Sequence, residues 1–296
     1  MIFAIVGPTA VGKSDLAIDL AERLGAEIVS ADSMQVYVGM DIGTAKVTES
    51  ERRGVPHHMI DVWPPDHEVS VVEFRDRARV SVEEIEARGR DVVIVGGSWL
   101  YVQAILDELE FPGTDPEVRT RLESELVEVG PEALHARLVV LDPDAAAAIL
   151  PTNGRRLVRA LEVVEIQGTF TARLPDPTPW REARWIGLGC DRLVLDARIA
   201  ARVDRMWALG LVDEVRELRP RMGRTASGAL GYRQVLDALD EGQADSVEVA
   251  RQRTVEGTRR FARRQERRFR QDRRVQWVPA GTSAGGVLDL IQGMAT

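Results

Sequence analysis

Residues 2–6 form an unbroken apolar run, Ile2-Phe3-Ala4-Ile5-Val6. A run this short without polar alternation predicts a strand buried on both faces. An amphipathic helical pattern follows from Lys13 to Leu24, and Gly25 supplies its stop. Glu27–Ser30 predicts the next strand. Ser70-Val71-Val72-Glu73 has the spacing of a capping box and opens a helix that runs to about Arg88. The apolar, β-branched run Asp91–Val95 predicts another buried strand, and helical patterning resumes near Leu100. Strands alternating with helices predict an α/β fold, a parallel sheet with helices on both faces.

The pattern changes near Phe111-Pro112-Gly113. Thr114-Asp115-Pro116-Glu117 reads as a capped helix start with proline in the first turn. Helical text then covers 115–129, 131–139, 142–149 and 154–167 with no strand between. Pro175, Pro177 and Pro179 predict an extended return. Strand-like Trp185–Leu188 and Leu193–Leu195 follow, then helices over about 197–218, 231–240 and 247–273, and a late strand at Val275–Val278. The chain therefore divides into an α/β core of residues 1–111 and 184–296 and an all-helical insertion of residues 112–183.

Composition narrows the functional classes. The chain has 296 residues and one cysteine, Cys190, so no disulfide framework or cysteine-rich zinc site is expected. The four histidines lack metal-ligand spacing, and His57-His58 reads as a structural pair. With a strand starting at residue 2 and no apolar run near the ~20 residues needed to span a bilayer, a cytoplasmic protein without leader or membrane contact is expected. Net charge is −8, which alone argues against a polyanion partner. Its distribution argues otherwise. Residues 251–274 carry eleven arginines against Glu256, Glu266 and Asp272, a local charge of +8 that leaves −16 elsewhere. Clustering of this kind favours contact with phosphates over a merely solvated helix face.

The chemistry is written most clearly at residues 7–14, GPTAVGKS. Between a strand and a helix this is a phosphate-cradling loop (P-loop): glycines admit close backbone approach, amides and the helix N-terminus face the anion, Lys13 adds charge, and the Ser14 hydroxyl is suited to Mg²⁺. Only Lys13 and Lys46 are lysines in a chain that otherwise uses arginine, which suits a compact point charge at Lys13. The P-loop, Ala31-Asp32-Ser33 and Gly96-Gly97-Ser98 each follow a strand, so they should meet at the carboxyl end of the sheet. Asp32 is then a metal ligand, a general base or a turn cap. These residues alone also fit an ATP-dependent small-molecule kinase with the insertion as its lid, or a nucleotide-sensing RNA-binding switch.

The runs GPTAVGKS (7–14), DSMQVY (32–37), GMDIGTAK (39–46), VPHHMID (55–61), VGGSWLY (95–101), DPEVR (115–119), NGRRLVRALEV (153–163) and LGYRQ (230–234) occur in this order. Together they resemble the bacterial tRNA dimethylallyltransferases over nearly the whole chain. The resemblance implies transfer of a dimethylallyl group from dimethylallyl diphosphate to N6 of adenosine 37 in tRNA, with diphosphate leaving. It implies that Gly7, Pro8, Thr9, Ala10, Val11, Gly12, Lys13 and Ser14 hold the diphosphate, with Mg²⁺ on Ser14. It adds Arg202, which its residue context alone would place on a helix surface. It implies Asp32 as general base, with Ser98 and Lys13 as further catalytic groups. The tRNA contacts it implies are Asp32, Ser33, Met34, Gln35, Ser98, Arg119, Arg155, Arg156, Leu157, Val158, Arg159 and Arg233, with the insertion gripping the anticodon stem-loop and no obligate protein partner. Ser98 stands at a family threonine and keeps its hydroxyl. Trp99 stands where the family usually has a smaller residue, and Val38 and Val47 replace a common basic residue and a proline.

Overall fold

The structure is a computed structural model that describes residues 1–171, 176–242 and 246–292. In chain order its elements are β1 (Ile2–Val6), α1 (Lys13–Leu24), β2 (Glu27–Ser30), β3 (His57–His58), α2 (Val71–Ala87), β4 (Val92–Gly96), α3 (Trp99–Leu106), α4 (Pro116–Leu141), α5 (Pro143–Ala147), α6 (Gly154–Gln167), β5 (Ala183–Gly189), α7 (Arg192–Ala208), α8 (Leu211–Leu218), α9 (Arg224–Ser227), α10 (Tyr232–Glu241), α11 (Ser246–Phe269), β6 (Val275–Pro279) and α12 (Ala284–Gln292). They form two compact units, Met1–Asp107 with Pro179–Thr296, and Glu108–Thr178. The unit boundaries lie at 107/108 and 178/179 rather than 111/112 and 183/184, because Asp107 bridges Pro179 and the Leu106 carbonyl accepts from the Trp180 amide at 2.7 Å.

The first unit is built on a six-stranded parallel sheet of order β3-β2-β4-β1-β5-β6. Alternation along the strands splits its core in two. Ile2, Ala4 and Val6 of β1 join Ile94, Trp185 and the apolar stripes of α2, α3, α8 and α10 on one face. Phe3 and Ile5 join Ile28, Val93, Ile186 and the stripes of α1 and α12 on the other. The strands read as continuous apolar runs because both faces are covered.

Several local readings are corrected. Leu193–Leu195 is the first turn of α7, not a strand, because the Asp191 carboxylate accepts from the Leu193 and Val194 amides and caps a helix there. The stretch 197–218 is two helices, separated at Gly210, whose φ of 98° is left-handed. Ser70 accepts from the Glu73 amide at 3.1 Å, but Glu73 pairs with His67 rather than closing a capping box. His57-His58 is a two-residue edge strand, and His58 is tied to Glu27 at 2.7 Å. Pro175 lies outside the described residues.

The second unit is helical. Gly130, at φ 80°, breaks α4 in two, and Leu122, Leu134, Leu138, Leu157 and Leu161 fill its core. Glu162 is fully buried there and accepts from Arg119 (2.6 Å), Arg159 (2.8 Å) and the Asp115 amide (3.1 Å).

Candidate active site

The site lies in the first unit, where β2, β4 and β1 end side by side. β1 runs into Gly7, whose φ is 138°; a Cβ there would come 2.6 Å from the Leu188 carbonyl oxygen, so only glycine allows the loop to leave the sheet at this angle. The loop continues through Ala10, at φ 64° an uncommon left-handed alanine, to Gly12 at φ 101°, and α1 begins at Lys13. Gly12, Lys13 and Ser14 thus present the free first-turn amides of a helix, an arrangement made for anions.

Lys13 folds back so that Nζ donates to the Pro8 carbonyl at 2.7 Å. Desolvation pulls its ammonium from an ordinary 10.5 to about 7, the Arg202 charge pushes the same way, and the Asp32 carboxylate opposes both. Arg202, on α7, points inward, where its guanidinium donates to the Thr44 carbonyl at 3.3 Å. Desolvation lowers its pKa too, against the Asp32 charge. Two half-buried basic side chains therefore gather around one carboxylate, a site short of negative charge.

Asp32 follows β2, and the neighbouring Ala31 amide donates to the Val95 carbonyl of β4 at 2.8 Å. One Asp32 carboxylate oxygen accepts from the Met34 amide at 2.9 Å and the Gln35 amide at 3.4 Å. The turn engages one oxygen only, so the cap does not exclude a reactive role for the other. Tyr101 of α3 stands against Phe74 with ring centroids 4.6 Å apart, and burial followed by the Asp32 charge pushes its phenol up. Ser98 is the N-cap residue of α3, and its hydroxyl makes no capping bond, so it stays available to a ligand.

The remaining expected residues divide sharply. Ser33 and Met34 are half-buried beside Asp32. The Gln35 side chain is engaged internally, accepting from Ser30 at 3.1 Å and donating to Thr44 at 3.3 Å. Arg233 is 70% exposed and only loosely paired with Asp237 at 3.9 Å. In the second unit Leu157 and Val158 are buried, so only their backbone can meet a partner. Arg119 and Arg159 do not simply face out: both are spent on Glu162, and Arg159 also donates to the Pro112 and Gly113 carbonyls. Arg155 is exposed.

The basic segment 251–274 is less free than its charge suggests. Arg251, Arg253, Arg260, Arg270 and Arg274 pair with carboxylates, and Arg268 lies over the Trp99 ring at 5.8 Å. Arg263 and Arg267, with Arg192, Glu266, Arg270 and Gln271, line an open groove.

Three further residues shape the site: Gln265, Glu214 and Thr44. Gln265 accepts from the Thr9 amide of the P-loop at 2.8 Å. Its signal was present: Ala250, Thr254, Gly257, Ala262, Gln265 and Phe269 form the buried stripe of α11 at helical spacing. Glu214 accepts from the Asp41, Ile42 and Gly43 amides and from the Tyr232 hydroxyl, and so shapes the loop whose Thr44 carbonyl holds Arg202. Lys46 is buried on the Tyr37 carbonyl, Asp41 and Asp61 at 2.9, 2.6 and 2.5 Å, a compact cation holding that loop closed. Nothing local in the sequence marks Glu214, and although Thr44 lies in the GMDIGTAK run, nothing there points to its carbonyl.

Among the described residues no three His, Cys, Asp or Glu side chains come together as metal ligands. No described helix is long and apolar enough to cross a membrane.

Known proteins resemble this chain along most of its length. The family model described as IPP transferase matches residues 35–272. The tRNA dimethylallyltransferase of Thermobifida fusca is 60% identical over 287 residues, 94% of this chain and 89% of that protein. That of Salinispora arenicola is 56% identical over 295 residues, 98% of this chain and 85% of that protein. The solved full-length tRNA isopentenylpyrophosphate transferase of Bacillus halodurans is 40% identical, with a TM-score of 0.72 over 99% of this chain and 95% of its own.

Proposed function

The chain belongs to the tRNA dimethylallyltransferase (IPP transferase) family, and from that premise we propose that its cleft transfers a dimethylallyl group from dimethylallyl diphosphate to N6 of adenosine 37 in tRNA. The observation that carries this reading is the gathering, near Asp32, of the P-loop Lys13, folded back on the Pro8 carbonyl, and Arg202 of α7, held on the Thr44 carbonyl. Such a gathering suits a diphosphate that must accept an electron pair as it leaves. The adenine N6 lone pair attacks C1 of the dimethylallyl group, the C1–O bond breaks, and its electrons pass to the diphosphate. Lys13, Arg202 and the amides of Gly12, Lys13 and Ser14 meet the growing charge. An exocyclic adenine amine is a weak nucleophile because its lone pair is delocalised. Asp32, with one oxygen not engaged by the Met34 and Gln35 bonds, takes the N6 proton as the C–N bond forms. The base must leave its stack to reach these groups.

The half-buried Ser14 hydroxyl, in the first turn of α1 beside Lys13, is the side chain that would hold a divalent cation brought in with the diphosphate. Mg²⁺ bound there would neutralise charge on the leaving group.

For the RNA, the exposed Arg155 of the second unit and Arg263 and Arg267 of α11 are the phosphate contacts this reading favours, in a cytoplasmic enzyme. Arg119 and Arg159 support it indirectly, by tying α6 to the start of α4 through Glu162. A small-molecule kinase is not favoured: β4 ends in Gly96-Gly97-Ser98 without an acid for a nucleotide-bound metal, and the family transfers prenyl groups. The test is incubation with radiolabelled dimethylallyl diphosphate and bulk tRNA. Label appearing in the adenosine fraction of digested RNA is expected. No label, with γ-phosphate transfer from ATP instead, would overturn the reading.

A further inference from the structure

α11 carries the basic segment on its outer face, yet its inner face reaches two walls of the site through one uncharged side chain. Gln265 is almost fully buried. Its Oε1 accepts from the Thr9 amide at 2.8 Å. Thr9 precedes Ala10, the left-handed residue of the P-loop, so this bond holds the chain just ahead of its most strained point. The other end of the same amide lies against Gly97. A Cβ on Gly97 would come 2.3 Å from Gln265 Nε2, so the glycine vacates the space that Gln265 fills. Gly97 leads directly into Ser98. The helix is pinned to this region twice more, by Arg268 over Trp99 and by Arg259 donating to the Asp196 carbonyl on α7, the helix that carries Arg202.

We propose that Gln265 is a positioning residue for prenyl transfer: one buried carboxamide, seated in the gap left by Gly97, holds the Thr9–Ala10 segment of the P-loop in register with the turn that presents Ser98. The proposal rests on the function above and assigns Gln265 no contact with substrate. The P-loop amides bind diphosphate only when the loop is held in its strained form, and Ser98 faces the reacting atoms only when its turn keeps its distance from that loop. A wedge between the two sets both.

The test is Gln265→Met, which keeps length and apolar volume and removes both amide groups. With saturating tRNA, kcat/KM for dimethylallyl diphosphate should fall about tenfold, shared between a raised KM and a lowered single-turnover rate, since a tenfold loss corresponds to ~1.4 kcal/mol, the scale of one lost hydrogen bond. Affinity for tRNA in a filter-binding assay should stay within about twofold. A purely structural role would lower melting temperature and tRNA affinity along with activity. Gly97→Ala gives a second arm, because it keeps Gln265 but displaces its amide. It should reduce transfer alone, and reduce it by a smaller factor in a Gln265→Ala background, where the space is empty. Wild-type KM and rate in Gln265→Met, or equal losses from Gly97→Ala in both backgrounds, would overturn the proposal. Should Gln265→Met fail to fold, wild-type transfer by Gly97→Ala would overturn it as well. The wild-type protein run beside them separates the two claims: no transfer there defeats the function, whereas transfer there with unaffected variants defeats only the role of Gln265.

Discussion

Lys13→Met should make the free protein more stable while destroying its hold on diphosphate. The folded protein keeps this ammonium in a desolvated loop beside Arg202, which pulls its titration from 10.5 to about 7. At ~1.36 kcal/mol per pH unit, that displacement corresponds to a cost of ~5 kcal/mol below pH 7. Residual solvent at a half-buried side chain reduces this, and the variant also loses the bond to the Pro8 carbonyl, about 1 kcal/mol. A net gain of ~1–3 kcal/mol at about pH 6 remains. The sign of the pH dependence follows from the protons held. Between about pH 7 and 10 the unfolded lysine is charged and the folded one neutral, so the unfolded state binds more protons and the wild type gains stability as pH rises. Methionine does not titrate. The advantage of the variant should therefore shrink with pH above about 7, by at most ~1.4 kcal/mol per unit. Urea unfolding of both proteins at about pH 6, 7.5 and 9 reads this directly. Inorganic diphosphate added to the same samples should raise the melting temperature of the wild type only. A variant less stable than wild type at pH 6, or an advantage constant across the three pH values, would refute the claim that Lys13 is a strained cation waiting for an anion.

Asp32→Asn keeps an oxygen for the Met34 amide, so the turn should survive while single-turnover transfer falls ~10²–10⁴-fold; a fall of less than about tenfold would place the base elsewhere. Arg263→Gln with Arg267→Gln should lower tRNA affinity and flatten the slope of log K against log salt by ~1.5; an unchanged slope in filter binding would return these arginines to a solvated helix face. Glu162→Gln leaves Arg119 and Arg159 without their carboxylate and should cost the second unit ~3 kcal/mol in urea unfolding. Burial pushes the Glu162 carboxyl up, but the Arg119 and Arg159 bonds outweigh it and hold it below the usual 4.5. Its contribution is thus complete above about pH 4.5 and is lost as pH falls through the lower folded value, an acid limb that the variant should lack.

The chain alone carries the parts whose cause is local. Ile2–Val6 and Val92–Val95 are apolar on every position, so they can only be strands covered on both faces. The GPTAVGKS run encodes the left-handed Gly12 and the start of α1 at Lys13, because glycine there removes a steric barrier regardless of what surrounds it. The ordered motifs carried the family in the same way. What needed the fold were groups whose role depends on partners distant in sequence. Leu193–Leu195 has strand-like side chains, but the Asp191 cap decides for helix. Arg202 is one arginine among many on paper; the Thr44 carbonyl, 158 residues away, turns it into the cleft. Arg119 and Arg159 have the charge of RNA contacts, and a single buried carboxylate, Glu162, claims them both. Gln265 falls on a helically spaced stripe within a run of arginines, but only the packing of α11 against α7, α10 and α3 makes it the partner of Thr9, 256 residues earlier. Charge and periodicity are properties of a segment, whereas which cation is free and which is spent is a property of the neighbours that folding brings to it.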